Sequence, residues 1–257
     1  MKRRESPWVK AIVVALVRPI LAAVTRRDWR GKDNVPREGG VIIAANHLSM
    51  ADPLTVSHFL YVGGRRWPTF TAKEGVFRIP IVGAITRALG QIPVKRGSTD
   101  AVRALREAER ALTEDGAAVI FYPEGTCTRD PNLWPMAAKT GVARLALTTG
   151  VPVIPVAHWG EQHLLAYGTK KLRLFPPKKV QVSAGPPVDL SAYRDQPLTA
   201  TTLREATSAI MRAITDIQAQ LRGEEPPAQI YDPKRERHDR ITSQEPPAGD
   251  DAGSQRN

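Results

Sequence analysis

His47 and Asp52 lie five residues apart in the run Ala45-Asn46-His47-Leu48-Ser49-Met50-Ala51-Asp52-Pro53. A neutral imidazole can take a proton from a hydroxyl near neutral pH. A carboxylate on its other nitrogen can hold the ring in the right tautomer and stabilise the cation that forms. The pair supplies a base and its orienter but no protein nucleophile, which points to a hydroxyl on the substrate. Asp52 before Pro53 also reads as a helix start, with Asp as N-cap and Pro at the first helical position. One carboxylate oxygen could then cap while the other contacts His47.

A second element, Tyr122-Pro123-Glu124-Gly125-Thr126, follows an apolar run that reads as a strand. Loops at strand C-termini are where open α/β sheets bind ligands. Gly125 permits close backbone approach, and Thr126 offers a hydroxyl. Glu124 could bind a substrate hydroxyl or orient a basic side chain; the plain alternative is a tight turn with Glu in solvent. A third element, Gly90-Gln91-Ile92-Pro93-Val94-Lys95-Arg96-Gly97, places two cations after an apolar segment, and Arg suits bidentate phosphate binding. Lys73 and Lys139 are further cation candidates, each equally readable as a surface charge. His58 reads as a packed or surface histidine, and His158 and His163 as solvated loop residues that could approach a site.

Other chemistries leave no pattern. The sequence has no Gly-x-Ser-x-Gly elbow, no Walker loop and no Gly-x-Gly-x-x-Gly. The single cysteine, Cys127, forms no internal disulfide, and no Cys/His spacing suits zinc, so no metal site is expected. Basic charge without an RNA- or DNA-binding motif argues against a nucleic-acid partner.

Strands alternating with helices position these residues and predict an α/β domain over 31–222, with helices covering a largely buried central sheet. Strands are expected at Gly39–Ala45, Trp67–Ala72, near Ile92, at Ala117–Tyr122, Val151–Trp159 and Val180–Ala184. A helix from Asp52 would carry Leu54, Val56, Phe59 and Leu60, and another is expected over Ile81–Leu89. A helix capped by Ser98 would bury Val102, Leu105, Ala108 and Leu112 and end at Gly116. Helices follow over Lys139–Thr148 and from about Thr201 to Arg222, the last with Ala206, Ile210, Ile214, Ile217 and Leu221 inward. From Gly223 the chain is Pro-rich, charged and poor in apolar residues, and 223–257 reads as a disordered tail.

The 257 residues carry a net charge of +11. The tail holds five Lys/Arg against eight Asp/Glu, and residues 1–30 hold eight against two. The basic excess therefore concentrates at the N-terminus and suits a partner with phosphates. Trp8 to Val24 is apolar except for Lys10, Arg18 and Pro19. As a helix it would be roughly 25 Å long, against a hydrocarbon core of about 30 Å. Arg3, Arg4, Lys10 and Arg18 fall within an arc of roughly 120°. Residues 1–30 are thus expected to form a basic amphipathic helix lying on an anionic membrane surface, with packing against the core as the alternative.

In order, these blocks resemble those of the glycerolipid acyltransferases, among them the 1-acylglycerol-3-phosphate acyltransferases. Asn46 to Asp52 is similar to their His-x4-Asp block. Gly90 to Arg96 resembles the second block, whose arginine contacts the acceptor phosphate. Phe121-Tyr122-Pro123-Glu124-Gly125-Thr126 resembles the third, and Val151-Pro152-Val153-Ile154-Pro155-Val156 the fourth. Lys73-Glu74 with Ile79-Pro80 and Gly83 matches the segment between the first two. The resemblance covers about Asn34 to Pro187. It departs after Thr126, where the family's arginine is replaced by Cys127, with Arg129 two positions on.

The resemblance implies acyl transfer from acyl-CoA or acyl carrier protein, a thioester co-substrate rather than a bound cofactor, to a lysophospholipid hydroxyl, giving phosphatidic acid. His47 would be the base and Asp52 its partner. Lys73, Arg96, Glu124, Gly125 and Thr126 would hold the acceptor and its phosphate, with Ser49, Arg129 and Lys139 as additional candidates. The setting would be the cytoplasmic face of the cell membrane. A different lipid acceptor, or a non-catalytic peripheral membrane protein, are the alternatives.

Overall fold

The computed structural model describes residues 5–94, 98–169, 171–233 and 235–236. Of the side chains within these ranges, those of Lys73, Val94 and residues 98–101 are outside the description. Arg96 and the tail beyond residue 236 are also outside it.

Helix α1 (Pro7–Val24) leads into strand β1 (Thr25–Arg30). Strand β2 (Val41–Ala45) and helix α2 (Asp52–His58) flank the His47 loop, and a π-turn over Phe59–Gly63 extends α2. Strand β3 (Pro68–Lys73), helices α3 (Glu74–Arg78) and α4 (Pro80–Ala88), and strand β4 (Ile92–Val94) follow. Then come α5 (Ser98–Thr113), β5 (Ala118–Phe121), α6 (Gly141–Thr149), β6 (Val153–Trp159), β7 (Lys178–Ala184), the single turn α7 (Ser191–Arg194) and α8 (Ala200–Arg222).

The seven strands form one sheet in the order β1-β7-β6-β2-β5-β3-β4. All neighbours are parallel except β6 and β7. The central strands are buried on both faces, as parallel strands under helices must be. Alternation divides them: Ile42, Ala44 and Val119 pack with Ala108 and Leu112 of α5, Val142 and Leu145 of α6, and Ile210 and Ile214 of α8. Val41, Ile43, Ala45 and Ile120 pack on the other face with Val56, Phe59 and Leu60. All five inward residues expected on α8 are buried. Thr199 accepts a bond from the Thr202 N–H at its start, and Gly223 ends it in the left-handed conformation.

Several expectations are corrected. Residues 25–30, read as part of the N-terminal helical segment, instead form edge strand β1 paired with β7. Val102, expected on the buried face of α5, is 51% exposed. Lys139 precedes α6 rather than opening it. The first part of the tail is ordered against the domain: Tyr231 bridges to Met136, and its carbonyl accepts from the Ala137 N–H at 2.8 Å.

The connection leaving β2 runs past β5 to β3, whereas that leaving β5 runs past β2 to β6. Two adjacent parallel strands whose connections leave in opposite directions open a crevice at their C-terminal ends. The His47 and Glu124 loops both begin there.

Candidate active site

His47 Nδ1 lies 2.9 Å from Asp52 Oδ2. The same oxygen accepts the backbone N–H groups of Leu48 at 2.6 Å and Ser49 at 2.8 Å. Asp52 is therefore not the forward N-cap that its place before Pro53 suggests. It is the first residue of α2, and its carboxylate turns back to hold the loop before it. Oδ1 has no hydrogen-bond partner among the described residues. Because Oδ2 is an acceptor, Nδ1 carries the ring proton, which leaves the Nε2 lone pair free to accept.

The β5 loop fixes the His47 backbone from both sides. Glu124 Oε1 accepts the His47 N–H at 2.9 Å, and the Thr128 N–H donates to the His47 carbonyl at 2.7 Å. The Tyr122 ring stacks on the imidazole, with centroids 4.3 Å apart and planes inclined by 24°. Cys127 Sγ sits 3.5 Å from Nε2. Burial, reinforced by Asp52 and Glu124, pushes the Cys127 thiol up to about 12, so it stands beside the base as a neutral group. Burial also raises Tyr122 well above its ordinary value.

Glu124, read as binding a substrate hydroxyl, orienting a basic side chain or standing in solvent at a tight turn, does not stand in solvent. It is buried, and its second oxygen accepts the Met136 N–H at 3.0 Å. Burial pushes its carboxyl up to about 8 against the opposing pull of these two N–H donors. Gly125 has φ +75°, and a Cβ there would meet Lys139 Nζ and Cε at 3.0 Å. The Lys139 ammonium thus lies over the Glu124-Gly125 turn, and its backbone N–H donates to the Pro123 carbonyl at 2.9 Å. Thr126 is half-buried in this loop, and Arg129 is exposed. Ser49 is a structural tie: its hydroxyl donates to the Leu165 carbonyl at 2.6 Å and accepts from the Ala51 N–H at 3.0 Å. Lys73 ends β3, with its side chain outside the description.

A layer that sequence reasoning missed stands behind Asp52. His158, expected in a solvated loop, is wholly buried in β6. Its backbone exchanges two hydrogen bonds with the Asn46 side chain, at 3.0 and 3.1 Å. Its Nε2 faces the Asn46 carbonyl at 2.6 Å, and its Nδ1 faces Glu161 Oε2 at 3.1 Å. Glu161, also fully buried, accepts the Thr55 hydroxyl at 2.7 Å through its other oxygen. Burial alone would lower His158; Glu161 and Asp52 outweigh it and push the ring up to about 9. The only sequence signal for this layer is the spacing of His158 and Glu161 at the end of a buried strand. His163 is exposed, and His58 packs edge-on against Trp29, with ring centroids 5.0 Å apart. Burial, with Arg27 and Arg18 nearby, holds His58 down at about 4.

The family model described as acyltransferase matches residues 26–159. A chloroplastic 1-acyl-sn-glycerol-3-phosphate acyltransferase of Brassica napus is 31% identical over 150 residues, covering 56% of this chain and 40% of the relative. A 1-acyl-sn-glycerol-3-phosphate acyltransferase of Borreliella burgdorferi is 31% identical over 126 residues, covering 49% of this chain and 48% of the relative. The match thus spans less than half the length of these two relatives. The crystal structure of the 1-acyl-sn-glycerophosphate acyltransferase of Thermotoga maritima superposes with a TM-score of 0.58 at 24% identity, over 82% of this chain and 83% of that one, which establishes the fold. The matched family region runs from β1 to the end of β6 and contains both the His47-Asp52 pair and the Glu124 turn, and this chain belongs to the acyltransferase family.

Proposed function

We propose that the protein transfers a fatty acyl group from a thioester, acyl-CoA or acyl carrier protein, to the free hydroxyl of 1-acylglycerol-3-phosphate. The observation that carries this reading is the 2.9 Å His47-Asp52 contact with Nε2 left as acceptor, in a chain whose relatives carry that name. His47 Nε2 takes the hydroxyl proton as the oxygen attacks the thioester carbonyl. Asp52 stabilises the imidazolium, and the thiolate leaving group recovers the proton. A positioned base contributes about 10²–10⁴ in rate. Lys139 over the Gly125 turn and exposed Arg129 are described cations that could meet the acceptor phosphate, alongside Arg96 and Lys73.

The same reading puts α1 at a membrane surface. Its 18 residues are long and apolar enough to cross a membrane, and 11% of them are buried. Yet Val13, Val17 and Leu21 share an apolar crevice of about 140 Å³ with Leu54, Tyr61 and Phe70, so one side of the helix lies along the domain. Trp8, Ile12, Leu16 and Ile20, four apart, form an exposed stripe on the other side. Ile81, Val82 and Ile85 of the neighbouring α4 are exposed as well. A helix held sideways on its domain inserts its outer face into the interface rather than spanning. Lys10, assigned to the basic stripe from the sequence, is turned inward over the Trp67 ring at 4.3 Å.

Purified protein with acyl-CoA and lysophosphatidic acid should release free thiol. The His47→Ala variant should lose the activity; substantial turnover by that variant refutes the assigned base. Glycerol 3-phosphate and lysolipids without a phosphate monoester, run beside it, identify the acceptor. The paired Ile12→Glu and Leu16→Glu substitutions should release the protein from anionic vesicles, and undiminished binding would rule out α1 as the contact.

A further inference from the structure

We propose that His158 and Glu161 are positioning residues for the base: a buried imidazolium, held by Glu161, stands behind Asp52 and fixes the ionised carboxylate that orients His47. This rests on the reading of His47 and Asp52 as base and orienter. Three observations carry it.

Both ring nitrogens of His158 face acceptors, the Glu161 carboxylate at Nδ1 and the Asn46 carbonyl at Nε2. A neutral imidazole has one N–H and satisfies one such partner; an imidazolium satisfies both. The ring is also placed to act on Asp52, with Nε2 3.7 Å from Oδ2. That oxygen is the one that holds His47 and the two loop N–H groups. Finally, Asp52, His158 and Glu161 are all completely buried, so water screens none of these charges. Two buried carboxylates this close repel, and a cation between them removes that cost.

The arrangement ties four segments together. Asn46 of the His47 loop grips the His158 backbone, Thr55 of α2 donates to Glu161, and Gln218 of α8 lies 3.4 Å from Asn46 Nδ2. The titratable groups acting on this cluster are His47, Asp52, Glu161, Tyr122, Glu124 and Cys127. Of these, Cys127 and Tyr122 are held neutral by burial, and burial keeps Glu124 largely protonated at pH 7. The ligand-type atoms of Asp52, His158 and Glu161 lie within 4.8 Å of one another, a spacing that could also hold a metal ion. Here both His158 nitrogens already face protein acceptors.

Glu161→Gln, nearly isosteric, tests the pair. Nitrogen-detected NMR of the unsubstituted protein should show both His158 ring nitrogens protonated at pH 7. Glu161→Gln should return His158 to a single-N–H form at that pH. It should lower kcat about tenfold, within the range for members of one hydrogen-bond network, with little change in KM. The acid limb of kcat/KM should move to higher pH, because losing the cation weakens the hold on the ionised Asp52. His158→Gln should reproduce the kinetic changes. A singly protonated His158 at pH 7 in the unsubstituted protein overturns the proposal, and so does a Glu161→Gln variant with an unmoved pH profile. If the unsubstituted protein releases no thiol, the acyl-transfer reading has failed instead, and the NMR spectra, including the His47 Nδ1–H resonance in the two variants, judge this inference alone.

Discussion

Glu124→Gln separates holding the base from holding the substrate. Both Glu124 oxygens accept backbone N–H groups, from His47 at 2.9 Å and Met136 at 3.0 Å. An amide offers one acceptor and one donor. Whichever way it turns, one of the two N–H groups faces an NH₂. Leaving a buried N–H unsatisfied costs about 1–3 kcal/mol. For a domain of this size that is a Tm drop of roughly 3–10 °C. Where the NH₂ faces the His47 N–H, the His47 backbone is displaced, and a shift of about 1 Å in a reacting group costs about 10²-fold. We expect kcat to fall ten- to a hundredfold, with KM for the acceptor changed less than threefold. The pH dependence supplies the sign. The folded carboxyl titrates at about 8, against an ordinary value of 4.5. Between those values the folded state binds more protons, so stability from Glu124 is full below 4.5 and is lost as pH rises through 8. Gln does not titrate, so the parent-minus-variant difference in unfolding free energy should narrow between pH 5 and pH 9. Urea titrations across that range, paired with thiol-release kinetics, measure both effects. A variant with parental stability and kcat, or a difference that widens with pH, refutes the assigned role.

Gly125→Ala forces a side chain into φ +75° and places its Cβ 3.0 Å from Lys139 Nζ. We expect a loss of about 1–2 kcal/mol from the backbone conformation and a raised KM for phosphate-bearing acceptors; unchanged KM would remove Lys139 from the phosphate site. Cys127→Ala should keep kcat within about threefold, because the acyl group passes directly to the acceptor hydroxyl; a loss beyond about a hundredfold would make the thiol a covalent participant.

The central strands and α8 are legible in the sequence because burial on both faces, or at helical spacing, is a local pattern: Val41 to Ala45 and Ala118 to Phe121 are continuous apolar runs, and the inward stripe of α8 repeats every three or four residues. β1 is not legible. Its sequence Thr-Arg-Arg-Asp-Trp-Arg is charged because the strand is an edge, where cations guard the unpaired side. The His47-Asp52 contact could be read from spacing, but the direction of the Asp52 carboxylate could not. Forward capping and backward bonding differ only in the path of residues 48–51, which Ser49 anchors to Leu165. The bond from the His47 N–H to Glu124 is not legible for the same reason, since the two residues stand 77 positions apart. His158 lies near the end of apolar strand β6, and apart from its spacing to Glu161 nothing local distinguishes an imidazole entering a loop from a buried one that also faces Asp52, more than a hundred residues earlier.

These long-range contacts, unreadable one at a time, combine into a charge balance suited to a base. With His158 as the imidazolium we propose, Asp52, Glu161 and His158 together carry one negative charge in a region that excludes water. His47, in contact with that charge through Nδ1, then gains a proton at Nε2, and the cluster becomes neutral. A buried group with one uncompensated negative charge favours the state in which the neighbouring base is protonated, which is the state developing as the hydroxyl attacks. The stabilisation is larger here than it would be in water, because at an effective dielectric of about 20 a unit pair at 4 Å interacts by about 4 kcal/mol rather than about 1. Neutral Cys127 and Tyr122, both raised by burial, add no charge to this balance. On this argument the apolar wall around His47 lets the single negative charge act on the base without competition.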